Sequence, residues 1–443
     1  MFDIDRILSF HCQGFERFVK PIDGNADYES LLAGRLDAAL IRDFSSDQPL
    51  EVKRRRAYEY SRSVLEQKSV YTVALPEGKA VCYGSTKNNL REFAWFDRLC
   101  ASIGMEVSSN NLHAVKRSKC SLDDAKYESW IGALLSDIAT FYGTRDSITA
   151  SLVYQQLQYT RTFLSLLVTL DRAKGAALPS LVVLANDHAP AHVAVSMAMK
   201  GANIPRLYLQ HAEVTNLFPP LDFEYSVLRN ERSKEIYASL GPLTGKVYVI
   251  SRFETPFQRE RLGAYRGDQV KVVIYPTARI KASALCAAIE KLAANPAVEN
   301  IYVKPHPNTY PPFDERSVGG LSVAIVKELP DFDHIAIVGN SSVAVELLHR
   351  GIPVYQNFDF DPVEPDYYGF VREGITPAVS LEELATPFWV PYRIDDRWIA
   401  AYGKLNPAAQ PGHSQTVEDF VGDIRPLAAT RPHACFKIAR ASG

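Results

Sequence analysis

The chain has few cysteines, and none of them is placed in a metal-binding or redox pattern. Its 443 residues include six cysteines, at positions 12, 82, 100, 120, 286 and 435, and no two of them have C-x-x-C spacing. The spacing therefore indicates neither a zinc site nor a redox motif, and it provides no disulfide framework. Scattered cysteines of this kind are typical of a reducing compartment, so we expect a cytoplasmic location.

Long apolar runs and a strong net charge are also absent. No stretch approaches the roughly 18 consecutive apolar residues of a membrane-spanning helix. The N-terminal MFDIDRILSF has acidic residues and no long apolar core, so we expect no signal peptide. A formal charge of −2 gives no broad positive field for nucleic acid, which we do not expect as a partner.

The densest basic run is Lys53-Arg54-Arg55-Arg56. We interpret it as the solvated face of a helix. Binding of phosphate or anionic lipid headgroups is the alternative, and it leaves peripheral contact with the inner membrane or an assembly complex open.

The length and the apolar pattern together predict two α/β domains. A chain of 443 residues is too long for one ordinary core. Residues 122–174 have helical apolar spacing, and from residue 180 onward continuous apolar strands alternate with helices. Strands of that kind are covered on both faces, as in a parallel sheet. We predict one domain over residues 1–245, a second over 246–390, and a helical tail over 391–443.

Polar clusters follow four of the predicted strands. Ligands of open parallel sheets bind beyond the carboxyl ends of the strands, so these clusters are the candidate site. They are Asn186-Asp187-His188, Gln210-His211-Ala212-Glu213, Lys304 to Asn308 and Gly339 to Ser342.

The segment VGNSSVAVELL has the features of a nucleotide-binding turn. Gly339 and Asn340 allow a tight turn out of the strand, and Ser341 or Ser342 can cap the next helix. The N–H groups at a helix start attract anions. Glu346 lies four residues after Ser342, on the same helix face, where it could accept hydrogen bonds from ribose hydroxyls. The alternative is a plain helix cap and a solvated glutamate.

The segment YVKPHPNTY is the second part of the predicted nucleotide site. Pro305 and Pro307 stiffen the backbone around His306, and Lys304 adds a positive charge. A lysine and a histidine at a strand end can hold a phosphate or stabilise a leaving group. A structural histidine in a proline turn is the alternative. We also assign Asn308, and Thr277 at the end of the strand 269–277, to this site.

The first domain is expected to supply the catalytic base. His211 is the first candidate because we expect its pKa to lie near neutrality, with Asp187 or Glu213 to orient it. Asp222 is a further candidate, although it also fits a turn residue after two prolines. His188 and His192 are four residues apart, but no clear third ligand accompanies them, so we expect no metal.

These motifs resemble those of a known group of enzymes. His306-Pro307 followed by Ser341-Ser342 resembles the His-Pro and Ser-Ser/Thr motifs of bacterial GT-B glycosyltransferases of capsule and lipopolysaccharide assembly. Those enzymes, sialyltransferases and Kdo transferases among them, use CMP-sugars. The resemblance covers residues 180–380 approximately. It implies a GT-B-like fold, with two Rossmann-type parallel-sheet domains that face a central cleft and a tail that crosses back to the first domain.

The first-domain segment YLQHAEV resembles the QHG segment of surface-carbohydrate enzymes, with Ala212 in place of the glycine. The chain departs from polysialyltransferases, which have an acidic pair plus glycine in this domain. Some Kdo transferases of similar architecture use an aspartate nucleophile. By that resemblance Asp187 and Asp222 are candidate nucleophiles, and the choice between base and nucleophile stays open.

The resemblance implies a glycosyltransferase that needs no cofactor. It would move an acidic sugar, of the Kdo or sialic-acid type, from its CMP donor onto a surface-polysaccharide or glycolipid acceptor. Three alternatives remain: an enzyme similar to UDP-GlcNAc 2-epimerase, a CDP-glycerol phosphotransferase, and a non-catalytic subunit that binds a nucleotide sugar.

Overall fold

The protein is described here from a computed structural model. The structure describes residues 2–23, 36, 38–45, 47–67, 75, 79–84, 86–110, 124–173, 178–253, 255–264, 269–306, 309, 313, 320–390, 392–406 and 413–429.

Helices and strands alternate through most of these residues. The strands are β1 Ala80–Tyr83, β2 Val107–Asn110, β3 Leu181–Leu184, β4 Arg206–Leu209, β5 Tyr225–Leu228, β6 Lys246–Val249, β7 Val270–Tyr275, β8 Val298–Val303, β9 Ala324–Ile325, β10 Ile335–Val338 and β11 Val354–Gln356. The helices are α1 Ile4–Leu8, α2 His11–Asp23, α3 Ala38–Asp43, α4 Leu50–Glu66, α5 Lys87–Ala101, α6 Asp124–Gly143, α7 Ala150–Arg172, α8 Pro190–Gly201, α9 Glu231–Leu240, α10 Arg259–Ala264, α11 Ala282–Ala294, α12 Val343–His349, α13 Asp396–Leu405 and α14 His413–Ala429.

The first domain is built on a six-stranded parallel sheet in the order β2-β1-β3-β4-β5-β6. Successive side chains of a strand point to opposite faces. Val81 and Tyr83 therefore pack against one helical layer, which includes α2, α6, α7 and α8. Ala80 and Cys82 pack against the other layer, which consists of α5 and α14. Because both faces are covered, every position of β1 is buried, which explains its unbroken apolar run.

The second domain is built on a five-stranded parallel sheet in the order β11-β10-β7-β8-β9. Val272 and Ile274 pack against α11, whereas Val273 and Tyr275 pack against α12 and α13. In the first sheet the chain adds β2 on one side of β1 and then β3 to β6 on its other side. In the second sheet it adds β8 and β9 on one side of β7 and then β10 and β11 on its other side. Ligands of such sheets bind in the crevice where the direction changes, between β1 and β3 and between β7 and β10.

The predicted fold class is confirmed: the chain is an α/β protein with two parallel-sheet domains. The predicted boundary at residue 245 is wrong by one strand. β6 pairs with β5, from Tyr225 opposite Lys246 to Leu228 opposite Val249, and so belongs to the first sheet. An apolar strand that is buried on both faces has the same pattern in either sheet, so its sequence does not reveal its neighbours.

The C-terminal helices divide between the two domains. Trp398 and Tyr402 of α13 lie in the core of the second domain. Phe420 and Ile424 of α14 lie in the core of the first domain, where Tyr248 donates a hydrogen bond to Asp423.

The apolar run SVYTVALP (69–76) predicts a strand, but it lies outside the described residues except for Leu75. The run LSVAIVKE (321–328) predicts a further strand, of which the structure forms only the short edge strand β9.

The basic run lies on α4, and its arginines have carboxylate neighbours. Arg54 pairs with Glu51, and Arg55 lies 3.9 Å from Glu59. Arg56 donates a hydrogen bond to the backbone carbonyl of Asp43. These contacts fit the interpretation of the run as a solvated helix face.

Candidate functional site

The loop after β3 carries Asp187 and His188 in a turn that is held by a side-chain hydrogen bond. Asn186 Oδ1 accepts hydrogen bonds from the backbone N–H groups of His188, at 3.0 Å, and of Ala189. This turn leads into α8, which begins at Pro190. The side chain that closes the turn is therefore Asn186, and the Asp187 carboxylate is left for other contacts.

Both oxygens of the Asp187 carboxylate are engaged. Oδ1 lies 2.9 Å from His188 Nδ1, and Oδ2 accepts a 2.6 Å hydrogen bond from the Tyr237 hydroxyl. Burial raises the pKa of Asp187, but the contacts with His188 and Tyr237 and the charge of Arg17 outweigh it, so the pKa lies below its ordinary value. The carboxylate is ionised at neutral pH. Its side chain is 0% exposed, which leaves no oxygen accessible for the covalent role considered for it.

The loop after β4 carries His211, the base predicted from the sequence. Burial lowers the pKa of His211 to about 4, and the neighbouring His188 and Arg229 act in the same direction. The expectation of a pKa near neutrality is therefore wrong, because sequence patterns do not report desolvation. Its Nδ1 atom is buried and has no hydrogen-bond partner among the described residues. Neither Asp187 nor Glu213 orients it.

Glu213 is buried beside the start of α9. Its two oxygens accept hydrogen bonds from Asn230 Nδ2, at 3.1 and 3.0 Å. Burial raises the pKa of Glu213, although Asn230, Arg229 and Arg232 act in the opposite direction. A carboxyl group with a raised pKa can act as a proton donor.

Asp222 lies away from these residues, near the amino ends of β4 and β5. Its carboxylate accepts two hydrogen bonds from Lys200 Nζ, at 2.7 and 2.8 Å, and lies 3.6 Å from Arg206 Nη2. Burial raises the pKa of Asp222, but the positive charges of Arg206 and Lys200 outweigh this effect. The pKa of Asp222 therefore lies below its ordinary value. The structure thus separates Asp222 from the carboxyl ends of the strands, and we leave it out of the site.

Sequence reasoning missed an ion cluster on the same edge of the first sheet. Glu92, buried on α5, binds both Arg229, which follows β5, and Arg252, at 2.9 Å, which follows β6. The Arg252 guanidinium also lies 3.5 Å from the centre of the Trp95 ring. Burial raises the pKa of Glu92, but the two arginines outweigh it and lower the pKa. These residues are far apart along the chain, so no local motif marks them.

In the second domain, the turn after β10 is held by Asp361. The Asp361 carboxylate accepts a hydrogen bond from the backbone N–H of Asn340, and its Oδ1 lies 2.8 Å from the Thr277 hydroxyl. A Cβ atom on Gly339 would collide with this carboxylate, so the position requires glycine. Burial raises the pKa of Asp361 to about 6, although the hydrogen bonds from Asn340 and Thr277 act against it. The site residues Thr277 and Asn340 are thereby brought together at the crevice between β7 and β10.

Lys304 and His306 follow β8, the neighbour of β7. The Lys304 backbone N–H donates a 2.9 Å hydrogen bond to the carbonyl of Ile274, so this loop starts level with the end of β7. His306 is half-buried, and burial together with the Lys304 charge lowers its pKa. Pro307 and Asn308 lie outside the described residues.

The serine pair and Glu346 begin α12, which is only seven residues long. Ser341 Oγ lies 3.4 Å from the Val343 backbone nitrogen, whereas Ser342, the residue before the helix, makes no side-chain cap. Glu346 accepts a 2.8 Å hydrogen bond from Arg350 one turn later. The local contacts of Ser341 and Glu346 are thus those of an ordinary helix, and a nucleotide role for them stays a prediction.

The two domains meet between the loop after β4 and the Asn340 turn. Asn340 Oδ1 accepts a 2.8 Å hydrogen bond from the Tyr367 backbone N–H, and the Tyr367 hydroxyl lies 3.4 Å from Thr215 Oγ1. Thr215 lies two residues after Glu213. Nearby, Arg232 Nη2 donates a 2.7 Å hydrogen bond to Glu373. Of the candidate residues, Asn340 and the segment that carries Glu213 therefore border this junction.

The described residues form neither a metal site nor a membrane-spanning helix. In the ranges that the structure covers, no three His, Cys, Asp or Glu side chains come together as a metal site. Among the same residues, no helix combines the length and the apolar character needed to cross a membrane.

Comparisons with known proteins find similarity in structure only. No family model matches the chain, and no curated protein matches its sequence. CalG4, the calicheamicin glycosyltransferase, matches with a TM-score of 0.44 and 10% identity over 78% of this chain and 99% of its own. The glycosyltransferase SnogD from Streptomyces nogalater matches with a TM-score of 0.41 and 13% identity over 80% of this chain and 100% of its own.

An enzyme of another kind is also similar. UDP-GlcNAc 2-epimerase from Neisseria meningitidis, bound to UDP-GlcNAc, matches with a TM-score of 0.40 and 14% identity over 78% of this chain and 99% of its own. All three TM-scores lie below 0.5, so the chemistry has to be argued from the residues of this chain.

Proposed function

We propose that the protein is a glycosyltransferase that transfers a sugar from a nucleotide donor to a glycan or glycolipid acceptor. The finer proposal is a CMP-activated acidic sugar of the Kdo or sialic-acid type as the donor. The enzyme would act in the cytoplasm, in peripheral contact with the membrane or assembly complex that holds its acceptor.

One observation carries this proposal: the junction at which Asn340, Tyr367 and Thr215 connect the two domains. Sugar transfer requires a donor, an acceptor and a proton-accepting group in one place. On the second domain, the crevice between β7 and β10 supplies a rigid polar turn, and Lys304 supplies a positive charge beside it. On the first domain, ionised Asp187 follows β3, and buried Glu213 follows β4 two residues before Thr215.

The charges of the two domains suggest a different role for each domain in the transfer. The leaving phosphate gains negative charge as its bond to the sugar breaks, and Lys304 with the N–H of a neutral His306 can stabilise that charge. The acceptor hydroxyl has to lose a proton, which a group of the first domain can take. Neither role requires a metal, so we keep the prediction that no cofactor is needed.

The test is a nucleotide-binding panel followed by a release assay. Calorimetry with CMP, CDP, UMP and UDP should find the tightest binding for CMP. Purified enzyme should release CMP from CMP-Kdo or CMP-sialic acid. His306→Ala and Glu346→Ala should each weaken CMP binding by about 1.5–3 kcal/mol, roughly 10- to 150-fold, as expected for loss of a charged contact.

The matched control is Glu290→Ala, which removes an exposed glutamate from a helix of the same domain and should leave CMP binding unchanged. Tightest binding of UDP would replace CMP-sugars by UDP-sugars or favour an epimerase, and tightest binding of CDP would favour the phosphotransferase. Binding of CMP without release from either CMP-sugar, even with acceptor glycans present, would indicate a binding subunit. Absence of binding by all four nucleotides would refute the proposal.

A further inference from the structure

His188 is fixed on three sides by the first domain. Its Nδ1 lies 2.9 Å from Asp187 Oδ1, and its backbone N–H is held by Asn186. The imidazole lies against the Phe218 ring at a tilt of 55°, with 4.5 Å between the ring centres. The imidazole therefore has a defined position and orientation.

Behind His188 lies a buried chain of hydrogen bonds. The Tyr237 hydroxyl donates to Asp187 Oδ2 at 2.6 Å and lies 3.2 Å from the Tyr208 hydroxyl. Tyr237 and Tyr208 are buried, and the Asp187 side chain is 0% exposed. Because its pKa is lowered, Asp187 is ionised and can accept the Nδ1–H of His188, which orients the ring and leaves Nε2 as the nitrogen that faces away from Asp187.

The other ring nitrogen is available to a ligand. No hydrogen-bond partner of Nε2 occurs among the described residues, and the His188 side chain is 22% exposed. His211 lacks the hydrogen-bonded orientation that His188 has. Its Nδ1 is buried without an acceptor in the described part of the chain, and no carboxylate orients its ring.

We propose that His188 is the catalytic base of this site and that Asp187 is the residue that positions it. The inference rests on the proposed transferase function. His188 Nε2 takes the proton of the acceptor hydroxyl as that oxygen bonds to the anomeric carbon of the donor sugar. The bond between the anomeric carbon and the phosphate oxygen breaks, and its electron pair leaves with the nucleotide. The proton on His188 then passes to solvent.

The first experiment uses water as the acceptor, so that no glycan has to be known. CMP-Kdo, CMP-sialic acid and UDP-GlcNAc are the donors, and nucleotide release is measured. His188→Ala should lower kcat by about 10²- to 10⁴-fold, the usual loss for a general base, while the affinity for the free nucleotide is unchanged. His188→Gln should show a similar loss in kcat. Because glutamine keeps most of the side-chain volume, this variant controls for a folding defect in His188→Ala.

Imidazole rescue separates the base from a structural histidine. Added imidazole should restore part of the rate of His188→Ala, because it can occupy the vacated space beside Asp187. Asp187→Asn should lower kcat with little change in KM, and imidazole should not rescue it. His211→Ala should lose less than tenfold. His334→Gln, a buried histidine of the second domain, controls for loss of an imidazole elsewhere.

The outcomes separate the two proposals. Donor turnover by His188→Ala and His188→Gln at the wild-type rate would overturn the assignment of the base and leave the transferase intact. A larger loss in His211→Ala than in His188→Ala would do the same. If the wild-type protein releases no nucleotide from any of the three donors, the transferase function fails and the base assignment fails with it.

Discussion

Asp361 organises the second domain's crevice from inside the protein. It joins the turn after β10 to Thr277, and its side chain fills the space that Gly339 leaves open. Asp361 belongs to an Asp-Phe-Asp segment that follows a strand, a position that predicts loop contacts. The neighbouring Asp359 makes such contacts, since it accepts hydrogen bonds from Asn357 and from the Leu381 backbone.

The raised pKa of Asp361 makes a prediction about stability. Its pKa is about 6 in the folded protein against an ordinary value of 3.8, so the folded state binds more protons than the unfolded state between these values. The contribution of Asp361 to the free energy of unfolding therefore falls as pH rises from 4 to 7, by at most about 3 kcal/mol. In Asp361→Asn this decline should be missing.

Urea unfolding of the wild type and of Asp361→Asn at several pH values between 4 and 7 measures the effect. Asp359→Asn, which removes an exposed aspartate from the same loop, is the matched control for loss of one negative charge. Parallel pH curves for the wild type and Asp361→Asn would mean that Asp361 titrates normally in the folded state.

Among the helices, α2 depends on a single buried histidine. His11 Nδ1 lies 2.8 Å from Asp137 of α6, and its Nε2 lies 3.0 Å from the Thr160 hydroxyl of α7. The spatial order Thr-His-Asp is that of a hydrolase triad, but Thr160 and His11 are both 0% exposed. No substrate reaches them, so the group joins three helices.

We expect His11→Ala to lower the free energy of unfolding by about 2–4 kcal/mol at pH 7.5. The change leaves a cavity and removes one hydrogen-bond partner each from Asp137 and Thr160. Thermal or urea unfolding checks it, with Gln13→Ala on the exposed side of α2 as the control, which should change the free energy by no more than about 0.5 kcal/mol. A similar small change in His11→Ala would contradict the role of His11 in joining the helices.

The same histidine predicts acid sensitivity. Burial lowers the pKa of His11, although Asp137 acts to raise it. The unfolded chain therefore binds a proton at higher pH than the folded protein does. The stabilisation by neutral His11 is complete above the ordinary pKa of 6.5 and is lost as pH falls below it. Hence the difference in unfolding free energy between the wild type and His11→Ala should shrink below pH 6.5, and a constant difference from pH 7.5 to 5 would contradict this.

At the level of the whole molecule, two ion pairs connect the domains, and one of these pairs is more buried than the other. Arg232, whose side chain is 7% exposed, contacts Glu373 through Nε and Nη2 at 2.7–3.0 Å. Lys404 and Glu235 are about half exposed and lie 2.9 Å apart. A geometry with two donors and little exposure is the stronger one.

Double-mutant cycles compare the two pairs directly. Alanine substitutions at Arg232 and Glu373 should give a coupling energy of about 1–3 kcal/mol. The reason is that removal of either residue leaves the charge of the other without its ion-pair partner. The corresponding cycle at Lys404 and Glu235 should give less than about 1 kcal/mol. Equal coupling energies in the two cycles would mean that burial does not distinguish them.

Much of the fold was predictable because its signals are local. The helical spacing of residues 122–174 corresponds to α6 and α7, and the continuous apolar runs correspond to strands covered on both faces. The polar clusters after β3, β4, β8 and β10 lie at carboxyl ends because parallel strands place all such ends on one edge of a sheet.

Other features depend on which segments become neighbours, and only the tertiary structure decides that. The apolar pattern of β6 is the same in either sheet, so its pairing with β5 was not predictable. Asp222 precedes β5 in the sequence and meets Lys200 and Arg206 near the opposite edge.

The choice between His188 and His211 has the same origin. Both histidines follow strands of one sheet, and each has an acidic residue nearby in the sequence. Which ring is oriented depends on where the carboxylate of Asp187 points and on what surrounds His211. Local sequence determines the secondary structure and the edge on which a residue lies, because these follow from periodicity. Hydrogen-bond partners and pKa values follow from burial and long-range contacts, and those exist only once the chain has folded.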